Sequence, residues 1–262
     1  MSVDAAGTPL SPYRGQRARV RGVGALLAVA AALAAPAGAA PLKLIVETVE
    51  VKTDTPPVLK GQKLYLPARV VLERIGANVT WDDKKNTLQA TVPDHAATFD
   101  LGSTEMTVDG DQMEMGEEPM VIGGVTYLLD SALNRALPLE IRRAPDGSSI
   151  EVKYRWEKRT VGIGEIIKWP RFFVGRPIAV EGEYRGWSAK GLEGPVRQGP
   201  PRRRTDWILK DGTGALYVSG RRPPLDPYTD AGKHVSVDGS AVVKTINGQV
   251  VPFIKADTVT LG

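Results

Sequence analysis

The chain has 262 residues, 42% of them hydrophobic and 24% charged, so it is long enough for one large core or two small ones. It contains no cysteine and only two histidines, which excludes disulfide bonds and metal sites built on thiolate ligands. The formal net charge of +4 is unevenly distributed: residues 40–158 carry 14 Lys and Arg against 19 Asp and Glu, whereas residues 159–262 carry 16 against 10. A basic rear part favours an anionic partner, and the alternative is that the charge serves only solubility.

The pattern of residues 1–39 predicts an export signal. Four arginines between positions 14 and 21 precede a short, Ala-rich apolar run, and the A-x-A pattern of residues 37–39 favours cleavage after Ala39. The alternative is an uncleaved membrane anchor, but the apolar run is shorter than the ~20 residues that a spanning helix needs. We therefore expect a secreted, periplasmic or cell-envelope protein with no stable membrane insertion after cleavage.

The next part of the chain contains an internal duplication. Residues 57–66 (PVLKGQKLYL) recur as residues 119–128 (PMVIGGVTYL), with one constant offset that superposes Pro, Gly and Tyr. Each copy then has apolar residues at helical spacing, with Pro67 opening the first helix and Asp130 or Ser131 capping the second. A pair of strands follows in each copy, so the pattern predicts an α+β module over residues 40–156.

The residues of this module resemble the copper amine oxidase N-terminal-like domain. The resemblance covers about residues 44–154 and rests on PPVLKGQKLYLPARVVLERIGANVTWD, then LGS and VDG, then PMVIGGVTYLL. Two departures fall in the second helix, where residues 129–131 replace the usual Pro-Leu-Arg and Pro138 replaces a terminal glycine. The resemblance implies an accessory domain without amine oxidase chemistry, because the copper ligands and redox cofactor of those enzymes lie in another domain. We expect neither a cofactor nor a metal here.

Residues 157–177 are predicted to be a linker, and residues 178–262 an all-β domain. Alternation in residues 178–184, a hairpin over residues 207–218 and two later strands separated by Asn247-Gly248 make five strands. The segments VEGEYRGW, TDWILKDGTGALYVSG and GKHVSVDGSAVV resemble the OB-fold. The resemblance implies an OB-like barrel whose first strand bends at Gly182 or Gly186.

Candidate ligand-binding residues surround the loop that would join the first two strands of this barrel, where OB-folds bind oligonucleotides or oligosaccharides. They combine cations with aromatic rings, a pairing typical of polyanion binding. The alternative is a solvated loop beside core tryptophans. The candidate residues are Trp187, Lys190, Arg197, Arg202, Arg203, Arg204, Trp207, Arg221 and Arg222.

The sequence favours binding over catalysis, because it contains no nucleophile elbow, phosphate-binding loop or metal-ligand motif. We expect a noncatalytic exported protein whose barrel docks onto an anionic cell-envelope polymer or another exported protein. Export argues against nucleic acid as the partner without excluding it. One alternative is a structural spacer or assembly protein. Another is a cell-wall polymer hydrolase that uses Glu181, Glu183 and Asp206.

Overall fold

The computed structural model describes residues 41–187 and 203–262. The front part contains β1 (Lys43–Val46), β2 (Val49–Val51), β3 (Val58–Lys60), β4 (Lys63–Pro67), α1 (Ala68–Arg74), β5 (Asn78–Asp82), β6 (Thr87–Val92), β7 (His95–Asp100), β8 (Glu105–Val108), β9 (Asp111–Glu114), β10 (Met120–Ile122), β11 (Val125–Leu129), α2 (Asp130–Ala136), β12 (Leu139–Arg143) and β13 (Ser149–Tyr154). The rear part contains β14 (Arg159–Thr160), α3 (Ile163–Lys168), β15 (Pro177–Tyr184), β16 (Trp207–Asp211), β17 (Gly214–Gly220), β18 (His234–Ile246) and β19 (Gln249–Leu261).

The two copies of the duplicated segment fold in the same order: a hairpin, a seven-residue helix and a second hairpin. The first hairpins of the two copies pair with each other, in the sheet order β10-β11-β4-β3. Leu66 lies opposite Leu128 at the centre of this pairing, and both side chains are almost fully buried. Each copy therefore covers the apolar edge of the other.

Two further sheets complete the front part. Strands β5 to β9 form an antiparallel meander, whereas β13 pairs in parallel with β1 in the order β12-β13-β1-β2. The helices α1 and α2 bury Val71, Leu72 and Leu133 against these sheets. The predicted class needs correction, because the part is mostly β and its helices are only seven residues long. The extended backbone of Leu137, which precedes Pro138, ends α2.

The rear part is a closed five-stranded β-barrel, which confirms the predicted barrel. Its strand order is β15-β16-β17-β19-β18, and antiparallel pairing of β15 with β18 closes it. Strands β17 and β19 are parallel, and the other neighbours are antiparallel. A Cβ on Gly182 would lie 2.3 Å from the carbonyl oxygen of Lys210, so glycine permits the close approach of β15 to β16. Residues 221–233 connect β17 to β18 without a helix.

The segment predicted to be a linker is structured and contacts both parts. Strand β14 extends the barrel sheet beside β15, and α3 packs against β17 and β19. The Trp156 indole nitrogen donates to the carbonyl oxygen of Pro177 at 2.8 Å, and Arg159 forms an ion pair with Asp94 at 3.0 Å. Residues 40–262 group as one compact unit. Within the two described ranges, no helix has the length and apolar character needed to cross a membrane.

Candidate functional site

The candidate residues that can be placed lie at the end of the barrel where β15, β16 and β17 meet their connecting loops. Trp187 follows β15, Arg203 and Arg204 precede β16, and Arg221 and Arg222 follow β17. Three other candidates, Lys190, Arg197 and Arg202, lie outside the described residues, as does the predicted export signal.

Trp187 and Arg222 come into direct contact at this end of the barrel. The guanidinium carbon of Arg222 lies 5.4 Å from the centroid of the Trp187 ring, a cation–π distance. A third residue joins them: the Tyr228 ring packs against Trp187 at a centroid distance of 5.9 Å and an interplanar angle of 87°. Trp187 is 41% exposed and Tyr228 is 81% exposed. We call Trp187, Arg222 and Tyr228 the aromatic corner.

Trp207 has a different environment from Trp187. Its side chain is almost fully buried and its ring lies 5.3 Å from that of Tyr184. Its indole nitrogen donates to the carbonyl oxygen of Arg221 at 3.1 Å. In this position the ring of Trp207 faces the barrel core and fixes the backbone that carries the two arginines after β17.

The four placed arginines of this end are exposed. Among residues 41–187 and 203–262, no carboxylate forms an ion pair with Arg203, Arg204, Arg221 or Arg222. The buried side chain of Asp206 accepts a hydrogen bond from the backbone nitrogen of Arg203 at 2.9 Å, which braces the turn before β16. The four guanidinium groups therefore present their charge to solvent.

The three carboxylates considered for hydrolysis occupy unlike environments. Asp206 is 3% exposed and holds the Arg203 turn, whereas Glu181 is exposed on β15. Glu183 pairs with Arg185 at 3.5 Å. These positions give Asp206 and Glu183 local partners within the protein.

The turn that carries Tyr228 is held by side chain to backbone hydrogen bonds. Asp226 Oδ1 accepts from the backbone nitrogens of Tyr228 and Thr229 at 2.8 and 3.0 Å, and Asp230 Oδ2 accepts from that of Asp226 at 2.8 Å. Backbone hydrogen bonds lower the pKa of Asp226, and the side-chain hydrogen bond from Lys233 lowers the pKa of Asp230. Both carboxylates are therefore ionised at neutral pH.

Gly186 brings this turn against the end of β15. Its φ is +62°, and a Cβ at this position would lie 2.1 Å from the carbonyl oxygen of Pro227. Only glycine fits both the backbone conformation and the contact. The position of Tyr228 beside Trp187 is thus set by backbone packing.

Tyr184 is the last residue of β15, and its ring packs against the buried Trp207. The Tyr184 hydroxyl is buried and has no hydrogen-bond partner within the described part of the chain. Burial raises the pKa of Tyr184, the charge of Arg222 lowers it, and the charges of Asp226 and Asp230 raise it.

Tyr228 and Asp226 were not among the residues predicted from the sequence. The segment Asp-Pro-Tyr-Thr-Asp at residues 226–230 carries a signal, because Asp followed by Pro is typical of a turn in which the Asp side chain bonds the backbone. That signal predicts an exposed tyrosine in the turn but not its neighbour Trp187, which is 41 positions earlier in the chain.

Residues 45–152 match the family described as the copper amine oxidase N-terminal domain, which confirms the predicted resemblance. A search of curated proteins finds no match. The donor set does not fit copper: the chain has two histidines and no cysteine, and the described residues contain no group of three or more His, Asp or Glu positioned to hold a metal ion. The chain therefore carries a copper amine oxidase N-terminal domain at residues 45–152, followed by a closed five-stranded β-barrel.

Proposed function

We propose that the barrel is an OB-fold and that the protein is an exported, noncatalytic binding protein of the cell envelope. Two features support the fold assignment. The first is the strand order: when β15 to β19 are numbered 1 to 5, the closed barrel has the order 1-2-3-5-4-1, and strands 3 and 5 are parallel. The second is the close approach of the first two strands at Gly182. OB-folds commonly bind extended polymers at the loops that surround the second and third strands.

The barrel docks onto an anionic polymer, or onto an acidic exported protein, through the loop end that carries the arginines. The observation that supports this function best is a group of four exposed guanidinium groups, which have no carboxylate partner among the described residues and lie at the same barrel end as an exposed tryptophan. Arginines without carboxylate partners create a positive potential that attracts an extended anion. The charge balance of the two parts agrees with this polarity, because residues 159–262 carry a net charge of +6 and residues 40–158 a net charge of −5.

Binding of the purified chain to heparin tests this function. Replacement of Arg203, Arg204, Arg221 and Arg222 by Gln should weaken binding at least about tenfold at low salt, and the difference should disappear near 1 M salt, where the Debye length is ~3 Å. A matched control replaces four exposed cations of the front part by Gln, and we expect it to retain binding. The four control residues are Lys84, Lys85, Arg142 and Arg143.

The alternatives predict other results. A spacer protein would show no binding that depends on the four arginines. Turnover of a cell-wall polymer by the purified chain would support the hydrolase alternative over a noncatalytic role.

Export needs its own test. Cell fractionation and intact-mass measurement should find a protein outside the cytoplasm that begins at Ala40. A cytosolic protein that retains residues 1–39 would contradict the proposed location.

A further inference from the structure

Tyr228 is an exposed aromatic side chain held in a fixed position. It is 81% exposed, yet its turn is braced by the Asp226 carboxylate and by the contact of Pro227 with Gly186. Exposed apolar surface on a rigid support is typical of a binding site, because the ring can contact a ligand without a large loss of conformational entropy.

The geometry of the aromatic corner distinguishes between ring-containing ligands. Single-stranded nucleic acids bind to aromatic side chains on which successive bases stack. The rings of Trp187 and Tyr228 are nearly perpendicular, at 87°, and the guanidinium of Arg222 lies over the Trp187 ring. Two perpendicular rings cannot both stack on successive parallel bases, and Tyr228 is the more exposed of the two, so the corner suits a single flat ring on Tyr228.

The charges around the corner indicate a ligand that carries both hydroxyl groups and a negative charge. The Asp226 carboxylate is exposed, and its Oδ1 accepts from the backbone nitrogens of Tyr228 and Thr229. An ionised carboxylate accepts hydrogen bonds from hydroxyl groups and repels anions, so a hydroxyl of the ligand suits this position better than its negative charge. The guanidinium of Arg222 can donate to an anionic group.

We propose that the aromatic corner, together with Asp226, binds one ring of an acidic polysaccharide. The flat face of the sugar packs on Tyr228, its carboxylate accepts hydrogen bonds from Arg222, and a ring hydroxyl donates to Asp226. This inference rests on the proposed function and specifies the chemical class of the polymer.

Three polymers test the ligand class with the full chain. Polygalacturonate carries one carboxylate on each ring, polyglutamate carries carboxylates without rings, and oligo(dT) carries phosphates and bases. We expect polygalacturonate to bind at least about tenfold more tightly than polyglutamate at equal charge concentration, a difference of about 1.4 kcal/mol, because only polygalacturonate has a ring that packs on Tyr228.

The variant Tyr228→Ala should lower the affinity for polygalacturonate about tenfold and leave the affinity for polyglutamate unchanged. Tyr228→Phe is the matched control, since it keeps the ring, and should stay within about threefold of the unaltered chain. Because the side chain is 81% exposed, both variants should keep the thermal stability of the unaltered chain, which circular dichroism checks.

The outcomes separate the two proposals. Equal binding of polygalacturonate and polyglutamate, both insensitive to Tyr228→Ala, overturns the saccharide site and leaves polyanion binding intact. Tightest binding to oligo(dT), lost in Tyr228→Ala, overturns the ligand class in favour of nucleic acid. Failure of all three polymers to bind overturns both proposals.

Discussion

Arg176 joins the front domain to the barrel, and its replacement should show how strongly the two parts are coupled. The side chain is 8% exposed and forms an ion pair with Glu47 at 2.5 Å. Its guanidinium also donates to the carbonyl oxygens of Phe172 and, at 3.3 Å, Ile75. The guanidinium carbon lies 4.2 Å from the centroid of the Phe172 ring and 5.0 Å from that of Tyr154.

The variant Arg176→Met keeps an apolar chain against the two rings but removes every polar contact. The substitution removes the side-chain donor of two main-chain carbonyls. Each carbonyl that stays unsatisfied lowers the free energy of unfolding by about 1–3 kcal/mol. Removal of one partner of a buried ion pair costs about 3–5 kcal/mol in total. Because the Glu47 side chain is 37% exposed, water can solvate its carboxylate, so we expect a loss near the lower limit, about 3 kcal/mol.

Urea unfolding followed by tryptophan fluorescence measures this loss, and Glu47→Gln completes a double-mutant cycle. Arg142→Met is the control, since Arg142 is 73% exposed and its pair with Glu140 should contribute less than about 0.5 kcal/mol. Chymotrypsin should also cut residues 155–177 faster in Arg176→Met. A loss below about 1 kcal/mol with unchanged proteolysis would refute the view that Arg176 holds the two parts together.

Three further predictions concern single sites. Gly182→Ala should destabilise the protein by about 2–3 kcal/mol in thermal or urea unfolding because its Cβ meets a backbone carbonyl of β16, whereas Gly212→Ala, which points into open space, should be nearly neutral. The hydrogen bond with the His95 side chain holds the pKa of Asp109 below its usual value. The bond therefore stabilises the folded protein at neutral pH, and this contribution is lost as the pH falls through the folded-state pKa of Asp109. In a carboxyl NMR titration, His95→Ala should move the midpoint of Asp109 back towards the usual value. Burial raises the pKa of Tyr154 to about 12, so Tyr154→Phe should remove a transition near pH 12 from the absorbance titration at 295 nm, and an unchanged curve would contradict this.

Local signals predicted most of the elements in the duplicated part. The repeated segments at residues 57–66 and 119–128 became matching hairpins, because a turn and the alternation beside it are encoded within a few residues. The helices that follow were also predicted, but the balance of helix and strand was not. Apolar residues at helical spacing indicate where a helix lies but not how much of the domain is helical. This domain has thirteen strands and only two helices, each of seven residues.

The candidate site was predicted less completely than the fold. The sequence indicated Trp187 and the arginines from composition, but it did not distinguish the exposed Trp187 from the buried Trp207. Both occur next to strand ends in the sequence, and the face that each ring occupies depends on barrel closure. Tyr228 was not predicted for the same reason, because its contact with Trp187 joins two separate loops of the barrel.

The repeat, the turns, the strand alternation and the uneven charge can be predicted from the amino-acid sequence, because each depends on residues close together in the chain. The pairing of β15 with β18, the burial of Trp207, the aromatic corner and the contact of Arg176 with Glu47 arise only from tertiary packing. The last two residues are 129 positions apart, and no local pattern marks them as partners. Such contacts form only when separate segments pack together, since their stability comes from burial and charge pairing that the isolated segments lack.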